Sequence, residues 1–413
     1  MFKRKFFPVV AAACLIAPVV AAETSAVADP DLSVWINKVL SQNPELQAAE
    51  AAVDAAGGRL HAADQPMFNP ELEFEHESSE IDTTTGGISQ AIDWSGKREA
   101  RTGVAQAGQV AAVTELRVRR QALAAKLLRA LADWQSAEAI VHISKQQSEL
   151  MTRFARLAEQ RRQAGDLDQV ELDLAHLASA DAAFQQSNAQ GNLIRARQAV
   201  IALTGDALAS WPRLTGALPE LDPVQAIEDR LLADLPVLQA ALARVAAARA
   251  SVQVSLREKR PDPTIGIRAG REDSDTLTGV TLSVPLFMRN TYSAEVDVAN
   301  AELIQAERKA ASLHRQARAD LVSAAEIYRN AQQTWLTWVA SGAPRLSQST
   351  ELLNRLWQAG ELDTTDYLVQ LKQALETEVS ALAQHARMWQ AWADWLAASG
   401  RIAQWLNLEG EDQ

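Results

Sequence analysis

The sequence predicts a mainly α-helical chain with a small β part, built as long coiled-coil hairpins joined to four short strands. Three observations carry this. A proline-free stretch from Lys97 to Ala164 holds Leu116, Leu123, Leu127, Leu131, Trp134 and Val141 at spacings of 7, 4, 4, 3 and 7, the rhythm of a helix that packs along a seam. Four segments alternate apolar and polar residues, which puts the two sets on opposite faces of a strand. The whole pattern also occurs twice. Asn43 to Ala49 resembles Leu235 to Ala241 at an offset of 192, Asn69-Pro70 matches Asp262-Pro263 at 193, Gly87 matches Gly279 at 192, and Gln163 to Asp168 resembles Gln358 to Asp363 at 195. Landmarks that keep their order with so little drift point to a duplicated half.

Composition bounds the function classes. In 413 residues, 47% are hydrophobic and 22% charged, values of a folded protein and not of a disordered one. With 40 basic and 52 acidic residues the net charge is −12, spread along the chain, and a phosphate backbone needs a basic footprint instead, so no nucleic acid is expected as partner. Lys3, Arg4 and Lys5, an apolar run from Phe6 to Val20 and the small residues Val20-Ala21-Ala22 read as a signal peptide over 1–22, with an uncleaved membrane anchor as the other reading. Cys14, the one cysteine, falls inside it and lacks a Leu-like residue three positions before it, which disfavours lipidation; neither disulfides nor cysteine-held metals are then available to the exported chain. No later apolar run approaches the roughly 18 residues of a spanning helix. Export without such a helix leaves the periplasm, secretion, or a β-barrel in the outer membrane.

Along the chain, the expected units are a first structural repeat over 23–210, a linker over 211–224, a second repeat over 225–405 and a tail over 406–413. An Ala-rich helix from about 31 to 64 is stopped by Pro66 and Pro70. Leu72, Phe74 and His76 then alternate with Glu71, Glu73, Glu75 and Glu77 in a strand. A polar turn at Asp82–Gly86 precedes a second strand with Ile88, Ile92 and Trp94 on one face and Ser89, Ala91 and Asp93 on the other. The long helix from Lys97 spans roughly 100 Å at ~1.5 Å per residue. Gly165 ends it, and Leu174, Leu177 and Phe184 carry the seam back along a helix ending near Thr204-Gly205. The second repeat supplies Ile265 and Ile267 against Thr264, Gly266 and Arg268, then Val280, Leu282, Val284 and Leu286 against Thr281 and Ser283. A helix from about 291 to 357, interrupted near Ser341-Gly342-Ala343-Pro344, and a return stripe of Leu368, Leu371, Leu375, Val379 and Leu382 complete it. Four strands cannot close a barrel alone, and open edges are not tolerated in lipid, so a barrel would need several chains.

Chemistry-bearing motifs are absent. The 6 histidines show no His-x-x-x-His pair, Gly57-Gly58 and Gly86-Gly87 lack the strand and helix of a phosphate cradle, and Ser and Asp are scattered on helices. No catalytic residue, metal site or cofactor is expected, and the chain reads as a non-enzyme.

The segments Gly87-Ile-Ser-Gln-Ala-Ile-Asp-Trp-Ser-Gly-Lys-Arg98 and Gly279-Val-Thr-Leu-Ser-Val-Pro-Leu-Phe287, with the two Ala-Gly-x-Leu-Asp turns, resemble the TolC-like outer membrane factor family. The likeness covers about 31 to 405, and the Ser-Gly-Lys-Arg98 stretch looks most like the CzcC-like heavy-metal efflux branch. It implies a homotrimer: a twelve-stranded transmembrane β-barrel shared by three chains and set in outer-membrane lipid, continuing into a helical α-barrel across the periplasm. It further implies a periplasmic adaptor and an inner-membrane pump of the RND type as partners, with metal, drug or secreted protein as cargo. A periplasmic hairpin adaptor is the alternative class, but adaptors carry a lipoyl-like domain that has no counterpart here.

Within that frame Leu72, Phe74, Ile88, Ile92, Ile265, Ile267, Val280, Leu282 and Val284 would face lipid, and Glu73, Glu75, Asp93, Arg268 and Thr281 the lumen. Gly165, Leu167, Asp168, Gly360, Leu362 and Asp363 would form the periplasmic tips that meet the adaptor, although Asp168 and Asp363 could equally be simple helix caps. A gate carboxylate six residues after the second tip glycine is Asp366, with Glu171 as its repeat partner. Val369 stands where the family can carry another carboxylate, and a solvated Asp366 balanced by Arg355 or Lys372 is the other reading.

Overall fold

A computed structural model describes residues 28–78, 80, 82–206, 211–221, 228–359 and 361–408. The expected signal peptide lies outside them. The chain opens with α1 (Pro30–Gln42) and α2 (Pro44–Asp64), two helices where the Ala-rich pattern suggested one. Pro44 cannot donate to the preceding turn. Asn43 turns that break into a cap: its side chain accepts from the Glu45 amide at 2.9 Å.

Next come β1 (Glu71–Glu77) and β2 (Thr83–Ala91). The sequence gives Thr83–Gly86 to a turn, but the β-branched threonines extend the strand and pair with Phe74–Glu77. Helix α3 (Lys97–Ala164) has the bounds its proline-free pattern demands, and Gly165 ends it at φ +85°, a left-handed conformation that favours glycine. After α4 (Gln169–Thr204), α5 (Glu228–Asp234) and α6 (Pro236–Glu258) lead to β3 (Thr264–Glu272) and β4 (Asp275–Ser283). Ile92, Asp93, Trp94, Val284 and Leu286 therefore lie just past the strands to which the alternation assigns them.

The remainder is α7 (Ser293–Thr337), α8 (Ala343–Gln358), α9 (Thr364–Ser399) and α10 (Ile402–Leu406). The expected interruption at Ser341–Pro344 is not a break. A π-helical turn, Trp338–Gly342, joins α7 to α8. Lengthening the hydrogen-bond ring accommodates the donor that Pro344 lacks. The Trp338 ring packs where a side chain at position 342 would be: a Cβ there would lie 2.2 Å from it.

The four strands form one antiparallel sheet in the order β1-β2-β3-β4. The helices lie in a row. Towards the sheet the order is α2, α3, α6, α7; away from it α4, α3, α9, then α7 and α8. The main core surrounds the middle of α3 and α9, where Leu127, Leu131, Trp134, Trp389, Trp392 and Trp395 pack with Trp211, Leu214 and Leu218. Those last three belong to the expected linker, which is therefore a packed strap. Gln332 Nε2 donates to Leu218 O at 2.9 Å, and Tyr328 Oη donates to Pro219 O at 2.7 Å. Likewise Leu406 and Leu408 of the expected tail are buried.

One seam differs from expectation. On α4 the residues turned into the chain are Ala175, Ala182 and Ala189, while Leu177 and Phe184 are 67% and 68% exposed. Alanines at a spacing of seven let α4 approach α3 closely. The large residues are left on the outer edge of the helix row.

Candidate channel surfaces and gate

Antiparallel pairing puts directly opposed residues on the same face. Leu72, Ile88, Ile267 and Val280 form one unbroken row across all four strands, with Ile265 paired to Leu282 in the neighbouring row on one side and Phe74 in the neighbouring row on the other. All are exposed in the single chain. The opposite face carries Glu71, Glu73, Glu75 and Glu77 down β1, with Arg268 and Thr281 on β3 and β4. Glu73 and Arg268 each pair with Gly87, which separates them. Asp93 is not on that face. It lies beyond β2 and accepts from the amides of Lys97 at 2.7 Å and Arg98 at 2.8 Å, capping α3. Partial burial works against its charge, yet those amides and that of Gly96 outweigh it and hold its carboxyl below the usual range.

At the far end of the molecule the α3–α4 turn closes on Gly165. Asp168 and Glu171 form a reciprocal capping box: the Glu171 amide donates to Asp168 Oδ1 at 2.8 Å and the Asp168 amide to Glu171 Oε2 at 3.1 Å. Glu171 is thus tied to the start of its own helix. Leu167 is only 7% exposed and packs inside the tip. In the second hairpin, Leu362 is half-buried, Asp363 precedes α9 without a side-chain cap, and Gly360 lies outside the described residues. Asp366 is exposed. The cations that could balance it are engaged elsewhere: Arg355 with Glu351 at 3.3 Å, and Lys372 with Asp181 at 3.3 Å.

The two tips meet in a cluster that the sequence did not reveal. Met151, Phe154, Ala158, Leu167, Ala175 and Ala182 of the first hairpin pack with Leu353, Tyr367 and Leu371 of the second. Phe154 and Tyr367 stack with ring centroids 6.3 Å apart. Tyr367 is 2% exposed, and burial raises the pKa of its hydroxyl. Lys372 with Asp181 ties α9 to α4 beside the cluster, and His176 Nε2 lies 3.3 Å from Glu159 between α4 and α3. The signal available in the sequence was Tyr367 itself, four residues before Leu371 on the same helical face.

Residues 35–206 match the family model described as outer membrane efflux protein. That stretch is similar to the family's members. Among curated relatives, this chain is 26% identical over 284 residues to the cobalt-zinc-cadmium resistance protein CzcC of Cupriavidus metallidurans, covering 67% of the chain and 68% of that protein. It is 25% identical to the nickel-cobalt-cadmium resistance protein NccC of Alcaligenes xylosoxydans xylosoxydans, over 67% of the chain and 66% of that protein. Each alignment spans about two thirds of the relative's length. In fold, it is similar to the CmeC outer membrane channel of Campylobacter jejuni, with a TM-score of 0.78 and 16% identity over 97% of this chain and 94% of that one. VceC of Vibrio cholerae gives a TM-score of 0.73 and 19% identity over 89% and 96%. The chain therefore has the fold of these outer-membrane channels. Among the described residues no three His, Cys, Asp or Glu side chains converge as a metal site, and no helix is long and apolar enough to cross a membrane.

Proposed function

We propose that three copies of this protein form the passive outer-membrane exit duct of a tripartite system for divalent transition-metal cations. The observation that carries the reading is a structure with two unfinished edges. The sheet ends on β1 and β4, neither paired on its outer side, while its apolar face is exposed. The helix row likewise ends on α4, with Leu174, Leu177 and Phe184 exposed, and on α7 and α8, with Ile327, Leu336 and Leu352 exposed. Joining the β4 edge of one copy to the β1 edge of the next, and α8 to α4, is a head-to-tail contact that closes into a ring. Three copies of four strands and four helices give twelve of each, with all edges satisfied.

In this reading the duplicated halves supply equivalent strand pairs and hairpins. The glutamate face of β1 lines the barrel, the apolar cluster under Tyr367 keeps the periplasmic end closed, and the exposed Asp366 of each copy contributes to a ring of charge there. The hairpin tips meet a periplasmic adaptor, with an inner-membrane RND-type pump supplying the energy. What supports this cargo is the naming of the two relatives, both cobalt and cadmium resistance proteins. The test is complementation. In a strain lacking its own exit duct but retaining a metal pump and adaptor, this protein should restore tolerance to cobalt, zinc or cadmium. Export of a drug or protein with no gain in metal tolerance would refute the cargo.

A further inference from the structure

The sheet meets the helices in a collar to which the duct reading gives no task. Its last row of paired residues is Ala91, Thr264 and Ser283, so the three segments leaving the sheet there lie side by side. Two are stitched together: Trp94 Nε1 donates to Pro261 O at 2.7 Å and the Ile92 amide to Pro263 O at 2.9 Å. Several charges of the collar are matched, one pair of them buried. Lys97 Nζ meets Asp262 at 2.8 Å with side chains 9% and 11% exposed, Arg257 meets Glu99 at 2.9 Å, and Arg101 meets Glu258 at 3.5 Å.

Four further surface cations are not matched. Arg98, Lys259, Arg260 and Arg289 are exposed, one or two on each leaving segment, and none has a carboxylate partner among the described residues. Arg98 is bonded to the Asp64 carbonyl at 3.3 Å. The exposed carboxylates nearest in the chain are Asp64, Glu71, Glu99, Glu295 and Asp297; Glu99 is engaged by Arg257, and Glu71 is on the face of the sheet away from the apolar rows. Beside the cations, Trp94, Leu286 and Met288 are exposed large apolar side chains. They continue the apolar surface that Ile265 and Leu282 begin. An apolar band edged by an aromatic residue and then by unmatched cations is the profile of a surface lying at the phosphate level of a bilayer.

We infer that this collar binds the anionic phosphate headgroups of phospholipids in the periplasmic leaflet. The inference rests on the membrane-embedded reading of the sheet. Each surface cation strengthens attraction to an anionic leaflet about fivefold, so replacing all four should lower the preference for anionic lipid at least about tenfold. The full chain, reconstituted in phosphatidylcholine vesicles with and without phosphatidylglycerol, is scored separately for insertion by protease protection and for lipid retained after detergent extraction. Wild type should retain phosphatidylglycerol selectively, and less so as salt rises. The variant carrying Arg98→Gln, Lys259→Gln, Arg260→Gln and Arg289→Gln should insert normally and lose the selectivity. Arg260→Gln alone should lose part of it, which covers a failure of the fourfold variant to fold. Equal retention by wild type and Arg260→Gln, or displacement of the lipid by inorganic phosphate at matched ionic strength, would overturn the inference. Failure of wild type to insert into either vesicle would overturn the barrel reading, and the collar with it.

Discussion

Replacing Tyr367 by alanine should open the periplasmic end of the duct, and the structure gives the size of the effect. The side chain is 2% exposed and lies against Phe154 in the only apolar cluster that joins the two hairpin tips among the described residues. Truncating a buried aromatic costs about 3 to 5 kcal/mol. At the lower figure, as suits a cluster near a molecular tip, the closed state loses about 3 kcal/mol, a shift of roughly 100-fold towards separation of the tips. Lys372 with Asp181 also joins the hairpins, but their side chains are 57% and 46% exposed. Such a pair contributes about 0 to 1 kcal/mol, so Lys372→Gln should shift opening less than about fivefold. Single-channel recording of purified protein in planar bilayers separates the two. Open probability should rise steeply for Tyr367→Ala and little for Lys372→Gln, with the oligomer intact on a sizing column. Equal effects, or a Tyr367→Ala channel that conducts like wild type, would show that apolar packing at the tips is not what keeps the duct closed.

Leu282→Arg, on the apolar face of β4, should cost about 2 to 4 kcal/mol if that face meets the membrane midplane, and outer-membrane fractions should lose the assembled form; unchanged assembly would reverse the two faces. Asp366→Asn should weaken cation selectivity in bilayers and relieve block by a trivalent cation added from the periplasmic side, because the ring of charge acts over about 8 Å at physiological salt. Asp93→Ala should destabilise the start of α3 by about 1 kcal/mol near neutral pH. The carboxyl is held below its ordinary value of 3.8, so this stability is present above that value and is lost as pH falls through the depressed one, where variant and wild type should melt alike. Burial depresses His385, which packs against Trp335 at a tilt, below its ordinary value of 6.5. Its contribution is present above pH 6.5 and is lost on acidification below it, so His385→Phe should flatten the acid limb of the thermal stability curve.

The parts of this fold that single-chain physics determines were legible in the sequence. Helix α3 is bounded by Lys97 and by the left-handed Gly165, and the alternation over Leu72–His76 and Val280–Leu282 fixes which residues share a face. What escaped depends on partners. The row of Leu174, Leu177 and Phe184 has the spacing of a core seam, and spacing cannot tell a seam that packs within one chain from one kept for a neighbour; alanine fills the inner seam instead. Similarly, Leu167 and Tyr367 belong to a cluster between segments some 200 residues apart in sequence, which no local pattern encodes. The strap at Trp211–Leu218 was hidden by its prolines and turns, although its large apolar residues were the available sign that it is buried. At Pro344, breaker chemistry was read correctly but its outcome was not, because a π-helical turn absorbs the missing donor.

Closure of three chains into one duct is tested most directly by cross-linking along the unfinished helix edges. Leu174 on α4 stands nine residues from Gly165 and Leu352 on α8 eight from Gly360, so the two are level along their hairpins, and both are exposed. With Cys14 the only native cysteine, Leu174→Cys combined with Leu352→Cys provides the reactive pair. Oxidation in intact outer membranes should give a ladder that stops at three chains, with a closed trimer as the largest product. A ladder that runs past three, one that stops at two, or no cross-linking in protein that has reached the outer membrane would contradict the account.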